Sequence, residues 1–492
     1  MDTIKSLKIK IYKKTINKPI FFVTNDPERG LGLEKLLENY HILCIDDNGI
    51  VDYLIKENVK VFSLEKEMQK TNPIFRNSNR LLNHNLTQKY IKENTKLKNG
   101  YLMFFKIAPN LATSARKLGF DILNTSSKLN HKFELKLSQY ESIKYLDIKI
   151  PKTVITILRD ADYKDLTKKL GKNFIIQFNR GHTGTGTIKV NSNIVLDEIK
   201  NKFPKRKVKI TKHIYGPAYT LNACITKHGV CWGGLSYQIT GIEECTSYKA
   251  GTVGNDWYYP KDLKKDTIDK IDKYVKIIGN EMARYNFKGM FGLDIVIDKN
   301  TNEPYIIEIN ARQPASIPMF NKLQILNNQI PLQMLAIAEF LNIDYDIDIE
   351  TYNNTASKHY KAAQLFIRNK NSSSAKIIGG IKVGSYRVVG DNSAYDWSSG
   401  KPKLKKNVII TDENKDMPLI FKEESYSIED LTDGGMLILC SKEGKNISQN
   451  SEVARIQILR TIINKNRELT PWLKNIIKGL NKYIVLKKNN ND

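Results

Sequence analysis

The stretch FGLDIVIDKNTNEPYIIEINAR, residues 291–312, decides the architecture of this chain. Both FGLDIVID and YIIEIN alternate apolar and polar residues with period two, the pattern of paired, half-buried strands. Leu293, Ile295 and Ile297 point one way, and Asp294, Val296 and Asp298 the other. On the second strand Ile307 and Ile309 join the apolar face, and Ile306, Glu308 and Asn310 share the opposite one. A five-residue loop, 299–303, predicts a hairpin that sets Asp294 directly across from Glu308. Carboxylates so placed have Cβ atoms about 4.5–5.5 Å apart, close enough to require a shared proton or a cation between them. Asn310 adds a carbonyl oxygen on the same face, so Asp294, Glu308 and Asn310 form an oxygen-only set that predicts a hard divalent ion, magnesium above all. Arg312 comes next on that face, where a guanidinium can grip a phosphoryl group through two parallel hydrogen bonds. An isolated Asp and Glu would sooner read as a solvent-facing sheet edge; the Glu-Ile-Asn-Ala-Arg run turns the reading to a site.

Outward from the hairpin, the 492 residues exceed what one core supports, and the patterns divide them. PIFFVT (19–24), a turn, a helix over 31–38, HILCID (41–46), a helix near 49–57, VKVFSL (59–64), YLMFFK (101–106) and a helix over 110–119 alternate in type. That alternation predicts a parallel α/β domain over 1–125. A helix over 129–143 then leads into short β runs around a helix at 163–170, read as a lid at about 150–210 inside an α+β domain, 126–345. In the rest of that domain TLNACIT and GVCWGG pair, a long helix around 264–285 precedes the hairpin, and a helix near 331–341 comes after it. The polar stretch IDYDIDIETYNNTASKHY (343–360) predicts a linker at 346–360. Residues 361–492 hold further β runs, such as AAQLFI and GGMLILC, and a closing helix near 469–482, which predicts a β-rich C-terminal domain.

Apolar residues make up 41% and charged residues 26%, the balance of a folded chain rather than a disordered one. The formal charge of +26 raises the prospect of a nucleic-acid partner. Lys greatly outnumbers Arg, however, and Asn and Ile are plentiful, as an AT-rich coding sequence produces. The basic residues are spread along the chain without an aromatic-basic module, so nucleic acid is not the expected partner and an anionic small substrate fits. Cys44, Cys224, Cys231, Cys245 and Cys440 form neither a CxxC pair nor a disulfide framework and read as reduced thiols of a cytoplasmic protein. Cys245 has no identifiable His and acid partner that would make it a nucleophile. The start, MDTIKSLKIKIYKKT, lacks the apolar core of a signal peptide, and no run approaches the roughly 18 residues that span a bilayer. No membrane association is expected.

FIIQFNRGHTGTGTIKV (174–190) places Gly181, Gly184 and Gly186 between two β runs. It has neither the Gly-Lys-Ser/Thr of a Walker loop nor GxGxxG spacing, so it joins strands rather than opening a helix. Together with LNHKFELKL (129–137), KITKHIYGPAYTLN (209–222) and the hairpin, it makes the chain from about residue 15 to 340 resemble the ATP-grasp superfamily, carboxylate–amine (peptide) ligases in particular. The resemblance implies α/β and α+β parts: an ATP-grasp fold with an N-terminal parallel α/β domain and a β-rich C-terminal extension. It implies a lid in which Gly181, Thr183, Gly184 and Gly186 cover the phosphates of ATP, and Mg²⁺ or Mn²⁺ held by Asp294, Glu308 and Asn310. It further implies a phosphate-binding Lys132, and a hinge in which Thr211, Lys212, His213 and Ile214 offer backbone groups to the adenine. The chain departs from the family twice. Gln177 stands where a second phosphate-binding lysine ends the strand before the glycine loop, and Ala218 stands two positions after Gly216, where many members have an acid. The stretch ECTSYKAGTVGNDWYYP (244–260), with Tyr248, Lys249, Asn255 and Asp256, would meet the second substrate, and Arg312 and Ser316 would hold its carboxylate.

The implied reaction is attack of a carboxylate on the γ-phosphate, giving an acylphosphate and ADP, and then displacement of phosphate by an amine. Lys132 and Arg312 would be its catalytic groups, acting by position and charge. The partners would be a small carboxylate and an amine or peptide; a homo-oligomer stays open. Two rival readings also stay open. One is a biotin carboxylase-like enzyme that activates bicarbonate, suggested by the β-rich C-terminal part, although no Met-Lys-Met carrier site is present. The other is a basic nucleic-acid-binding protein with a non-catalytic nucleotide fold, favoured by Gln177 and Ala218 and opposed by the retained Asp294, Glu308, Asn310 and Arg312.

Overall fold

The computed structural model describes residues 1–69, 75–95, 99–180, 186–388, 395–396, 403–404, 408–409, 419–431 and 435–488. The run IFFV, buried along its whole length, forms β1 (Ile20–Val23). It lies in the middle of a parallel sheet with β2 (Tyr40–Cys44), β3 (Val61–Ser63), β4 (Tyr101–Phe104) and β5 (Asp121–Ile122), in the order β3-β2-β1-β4-β5. A strand covered on both faces has to be apolar throughout. The order reverses at β1, and in open parallel sheets the crevice beyond such a strand's C-terminal end is where ligands bind. The helix expected over 31–38 does not form. A 3-10 turn, Pro27–Gly30, comes after β1, and Gly32 takes φ +109°, a left-handed conformation through which a helix does not propagate. An open turn therefore presents Asp26, Glu28 and Arg29 at the crevice.

The single helix expected over 129–143 is two helices, Ser127–Glu134 and Lys136–Ile143, with Leu135 extended between them at φ −70°, ψ 128°. The break is fixed from elsewhere in the chain. Asn179 accepts from the Lys136 N–H through its backbone carbonyl at 3.3 Å and from the Leu137 N–H through Oδ1 at 3.1 Å, satisfying donors that a helix start leaves open. Gln139 then donates to the carbonyls of Phe133 and Ile309 at 2.8 and 2.9 Å, tying the junction to the hairpin. On a continuous helix Lys132 and Lys136 would share a face. The change of direction separates them.

β6 (Thr153–Ile157), β7 (Phe174–Phe178), β8 (Thr187–Val190) and β9 (Lys207–Lys212) make the antiparallel sheet of the lid, in the order β6-β9-β7-β8. Leu166, Leu170, Leu196 and Ile199 from two helices pack on Phe174, Ile176, Val208 and Ile210. Strand alternation turns Gln177 and Lys209 to the other face of that sheet.

The central sheet is antiparallel: β10 (Ala218–Thr226), β11 (Gly229–Thr240), β12 (Thr252–Asp256), β13 (Gly289–Ile297) and β14 (Pro304–Asn310), in the order β14-β13-β10-β11-β12. The amphipathic helix Lys265–Arg284 buries Ile271, Tyr274, Val275, Ile278 and Met282 in a core shared with this sheet. Leu332–Phe340 packs against β10 and β13, buried along most of its length, which accounts for its lack of a polar stripe. Just before β10, a Cβ on Gly216 would come within 1.8 Å of the Ile297 carbonyl oxygen, so only glycine lets the hinge pass the hairpin.

β12 is not an edge. Ala363–Arg368 pairs with it, and Glu452–Ile458, Gly435–Cys440, Gly384–Val388, Leu419–Glu423 and Val408–Ile409 continue in order across the same sheet. The segment beyond residue 361 thus extends the central sheet. The polar stretch read as a linker holds a helix, Ile349–Ala356, pinned to β11 by Asn353, which accepts from the Trp232 N–H at 2.9 Å and donates to the Val230 carbonyl at 3.0 Å. Among the described residues no helix is long and apolar enough to cross a membrane.

Candidate active site

In the hairpin Asp294 lies across from Glu308, Leu293 across from Ile309 and Gly292 across from Asn310, the register that the alternation predicts. Toward the loop the pattern changes. Ile307 bulges, Ile295 pairs with Ile306, and Ile297 pairs with Pro304. One extra residue on β14 exchanges the faces on its loop side, so Ile306 enters the core beside Ile309 while Ile307 faces the cleft, the reverse of the expected assignment.

Thr220 donates to Asp294 at 2.9 Å, and Asn310 donates to the other oxygen of that carboxylate at 3.2 Å. Burial, with the Glu308 charge adding to it, pushes the Asp294 carboxyl up to about 6. Glu308 forms an ion pair with Lys136, a buried lysine one turn beyond the expected Lys132. The Lys132 ammonium instead lies 4.1 Å from the centroid of the Tyr285 ring, and Lys132 does not line the cleft. The helix break at Leu135 is the reason for the exchange. Two carboxylates and a carboxamide on one face of the hairpin fit a hard divalent cation, since every donor is oxygen. Among the described residues no group of three or more His, Cys, Asp or Glu is arranged to hold a metal, so the carboxamide and oxygens from a ligand would have to complete the shell.

These residues line one end of a cleft of about 530 Å³ enclosed by the lid, the central sheet, the N-terminal crevice and the C-terminal strands. The lid contributes Gln177, Gly186 and Thr187, and β10 contributes Ala218. Gly181, Thr183 and Gly184 lie outside the described residues. Thr211, Lys212, His213 and Ile214 are not in the cleft wall. Thr211 pairs with Thr153 and Ile175, the Lys212 N–H donates to the Lys152 carbonyl at 2.8 Å, and the His213 N–H donates to the Asn173 carbonyl at 3.4 Å. The donors at 212 and 213 that were expected to meet a base are thus engaged within the lid.

The other end of the cleft carries a concentration of charge of which the sequence patterns marked only Arg312. Arg29 and Arg312 both stack on Phe105, 4.4 and 5.0 Å from its centroid. Arg312 also donates through Nε to Glu134 at 3.1 Å and through Nη2 to the Asn310 carbonyl oxygen at 3.0 Å. Arg29 Nη1 is buried and finds no hydrogen-bond acceptor among the described residues. Arg368 and Arg455 come from the C-terminal strands, the latter paired with Glu452 at 2.7 Å. Burial pushes the Glu28 carboxyl up to about 7; Arg455 opposes the rise, and Glu452 and Asp26 add to it. Ser316 is buried, and its hydroxyl donates to Asn222 at 2.8 Å.

Part of the stretch 244–260 is strand β12, which puts Asn255 in the cleft wall. Asp256 is a structural anchor, accepting from Thr461 at 2.7 Å and from the Ile462 N–H at 2.8 Å. Tyr248 and Lys249 do not line the cleft. Cys245 is fully buried, and burial pushes its thiol up to about 12, so it is no nucleophile.

Residues 134–316 match the model of an ATP-grasp domain family. The L-amino acid ligase of Bacillus licheniformis superposes with a TM-score of 0.55 at 12% identity, over 96% of this chain and 99% of that one. N5-carboxyaminoimidazole ribonucleotide synthetase from Thermotoga maritima gives a TM-score of 0.52 at 9% identity, over 96% and 100%. In sequence, the large chain of carbamoyl phosphate synthase from Sulfurisphaera tokodaii is 25% identical over 249 residues, 50% of this chain and 23% of that protein. The matched part is thus about a quarter of the length of that relative. Residues 134–316 are thus similar to an ATP-grasp domain, and the likeness of the whole chain to these solved structures is one of fold.

Proposed function

We propose that this chain is an ATP-dependent ligase that joins a small carboxylate to an amine. The observation that carries this reading is a single cleft with two kinds of end, an opposed carboxylate pair at one and a group of arginines at the other, with Arg312 between them. Asp294, Glu308 and Asn310 would hold Mg²⁺ or Mn²⁺, which when bound cancels charge on the phosphoryl oxygens of ATP. Lys136 stands beside that set and would take a phosphate oxygen in exchange for Glu308. A carboxylate oxygen of the acid substrate attacks the γ-phosphorus, the bond to the β-bridging oxygen breaks, and ADP leaves. The amine then attacks the acyl carbon, phosphate leaves, and the amine gives up a proton.

Arg29 and Arg312, stacked on one ring and aimed at the same volume, would hold a substrate carboxylate; the unpartnered Nη1 of Arg29 supplies a donor for it. Glu28 is a group at that end whose charge changes near neutral pH, which suits it to receive the proton of an ammonium group. Catalysis rests on position and charge, with no protein nucleophile.

The test is ADP release from Mg-ATP against pooled carboxylates, bicarbonate included, with and without pooled amines. ADP that forms only when an acid and an amine are both present supports the ligase. ADP with bicarbonate alone transfers the chain to the carboxylating reading, and AMP as product overturns the acylphosphate route.

A further inference from the structure

The family pattern asks for a second cation on the strand before the glycine loop, and this chain has Gln177 there. On β7 Phe174 and Ile176 point into the lid core, which leaves Gln177 on the face that lines the cleft. β9 runs antiparallel to β7, and Lys209 is directly opposite Gln177. Val208 and Ile210, its neighbours, belong to the lid core, so Lys209 shares Gln177's face of the lid sheet, although Lys209 is not itself among the residues that line the cleft. Opposed residues have Cβ atoms about 4.5–5.5 Å apart, and a lysine side chain easily spans that. The helix Lys136–Ile143 packs against β9 on this side, bringing Lys136 and its partner Glu308 beside Lys209.

Four lysines are buried among the described residues: Lys136, Lys209, Lys322 and Lys445. Lys136 is paired with Glu308, Lys322 with Glu34, and Lys445 with Asp46 and Glu65. Lys209, 5% exposed, has no hydrogen bond or ion pair at its ammonium among the described residues. A lysine buried to this degree without a paired anion carries a desolvation cost, and codon bias, which fills exposed positions, does not account for one. Burial and the neighbouring Lys136 ammonium push the Lys209 amine down to about 8, with Glu308 acting the other way, which puts the three groups within electrostatic reach of one another.

We propose that Lys209 supplies the phosphate-binding charge missing at position 177, so that this chain grips the nucleotide phosphates from β9 rather than from β7. This rests on the ligase reading above. Binding of Mg-ATP, Mg-ADP and adenosine, measured by calorimetry on the full chain, tests it. In Lys209→Met the dissociation constants for ATP and ADP rise at least about tenfold, on the scale of one lost charge-assisted bond, while adenosine binding is unchanged. The double variant Gln177→Lys, Lys209→Gln, which moves the ammonium back across the ladder, recovers ATP affinity to within a few fold.

Wild-type ATP affinity in Lys209→Met overturns the proposal while leaving the ligase reading intact. An equal loss for adenosine also overturns it, because that marks a merely structural role. A wild-type chain that binds no ATP sinks the ligase reading, and this proposal with it. A swap variant that folds, by circular dichroism, yet fails to recover affinity counts against the exchange of strands.

Discussion

Glu28→Gln converts the charged end of the cleft into a measurable pH dependence. Glu28 is 8% exposed, and Asn48 donates to its carboxylate, a bond that glutamine's carbonyl can still accept. The substitution therefore keeps shape and hydrogen bonding and removes only the titration. The carboxyl moves from 4.5 to about 7 on folding, chiefly through burial. Between those values the folded chain binds the proton that the unfolded chain has released, so stability is present in full below pH 4.5 and is lost as the pH rises through 7. At about 1.4 kcal/mol per pH unit the loss is about 3 kcal/mol. Urea denaturation of wild type and variant at a series of pH values reads it as a difference, in which the other titrations cancel. The two proteins have equal stability near about pH 4.5, and the variant gains steadily to about 3 kcal/mol by about pH 8. A difference that stays flat across this range, or grows toward acid pH, refutes the account of Glu28 as a buried group forced to ionise. Because a bound ammonium would relieve the same penalty, a saturating amine substrate shrinks the difference.

Asp294→Asn and Glu308→Gln each abolish ATP turnover while far-UV circular dichroism stays that of wild type; full activity in either removes the metal assignment. Chelation with EDTA stops the same turnover, and excess Mg²⁺ or Mn²⁺ restores it. Lys136→Ala lowers kcat/KM for ATP about 10²-fold or more, whereas Lys132→Ala stays within about twofold, its ammonium merely resting on Tyr285; equal effects contradict the helix break. Asn179→Ala costs about 1 kcal/mol in denaturation through loss of the cap on the helix Lys136–Ile143 and raises the KM for ATP. An unchanged KM shows that the cap does not position Lys136.

The sequence by itself determined the features that rest on local periodicity. Alternation in 291–310 is enough to put Asp294 opposite Glu308, because period two and a short loop leave little freedom of register. The buried apolar run at β1 and the 20-residue amphipathic helix Lys265–Arg284 are legible for the same reason. Tertiary structure decided what depends on partners far away in the chain. The bulge at Ile307 exchanges the faces of Ile306 and Ile307, and nothing in YIIEIN announces it. Asn179, about forty residues downstream of Lys136, breaks the helix at Leu135 and so makes Lys136 rather than Lys132 the lysine beside Glu308. The pairing of Ala363–Arg368 with β12 carries Arg368 and Arg455 into a cleft that the isolated motifs would place in the ATP-grasp domain alone. Gln177 reads as a lost charge until the ladder sets Lys209 across from it. Strand alternation is a property of neighbouring residues, whereas which strand lies beside which is settled by the whole chain's burial of its apolar faces, and only that settles where each charge ends up.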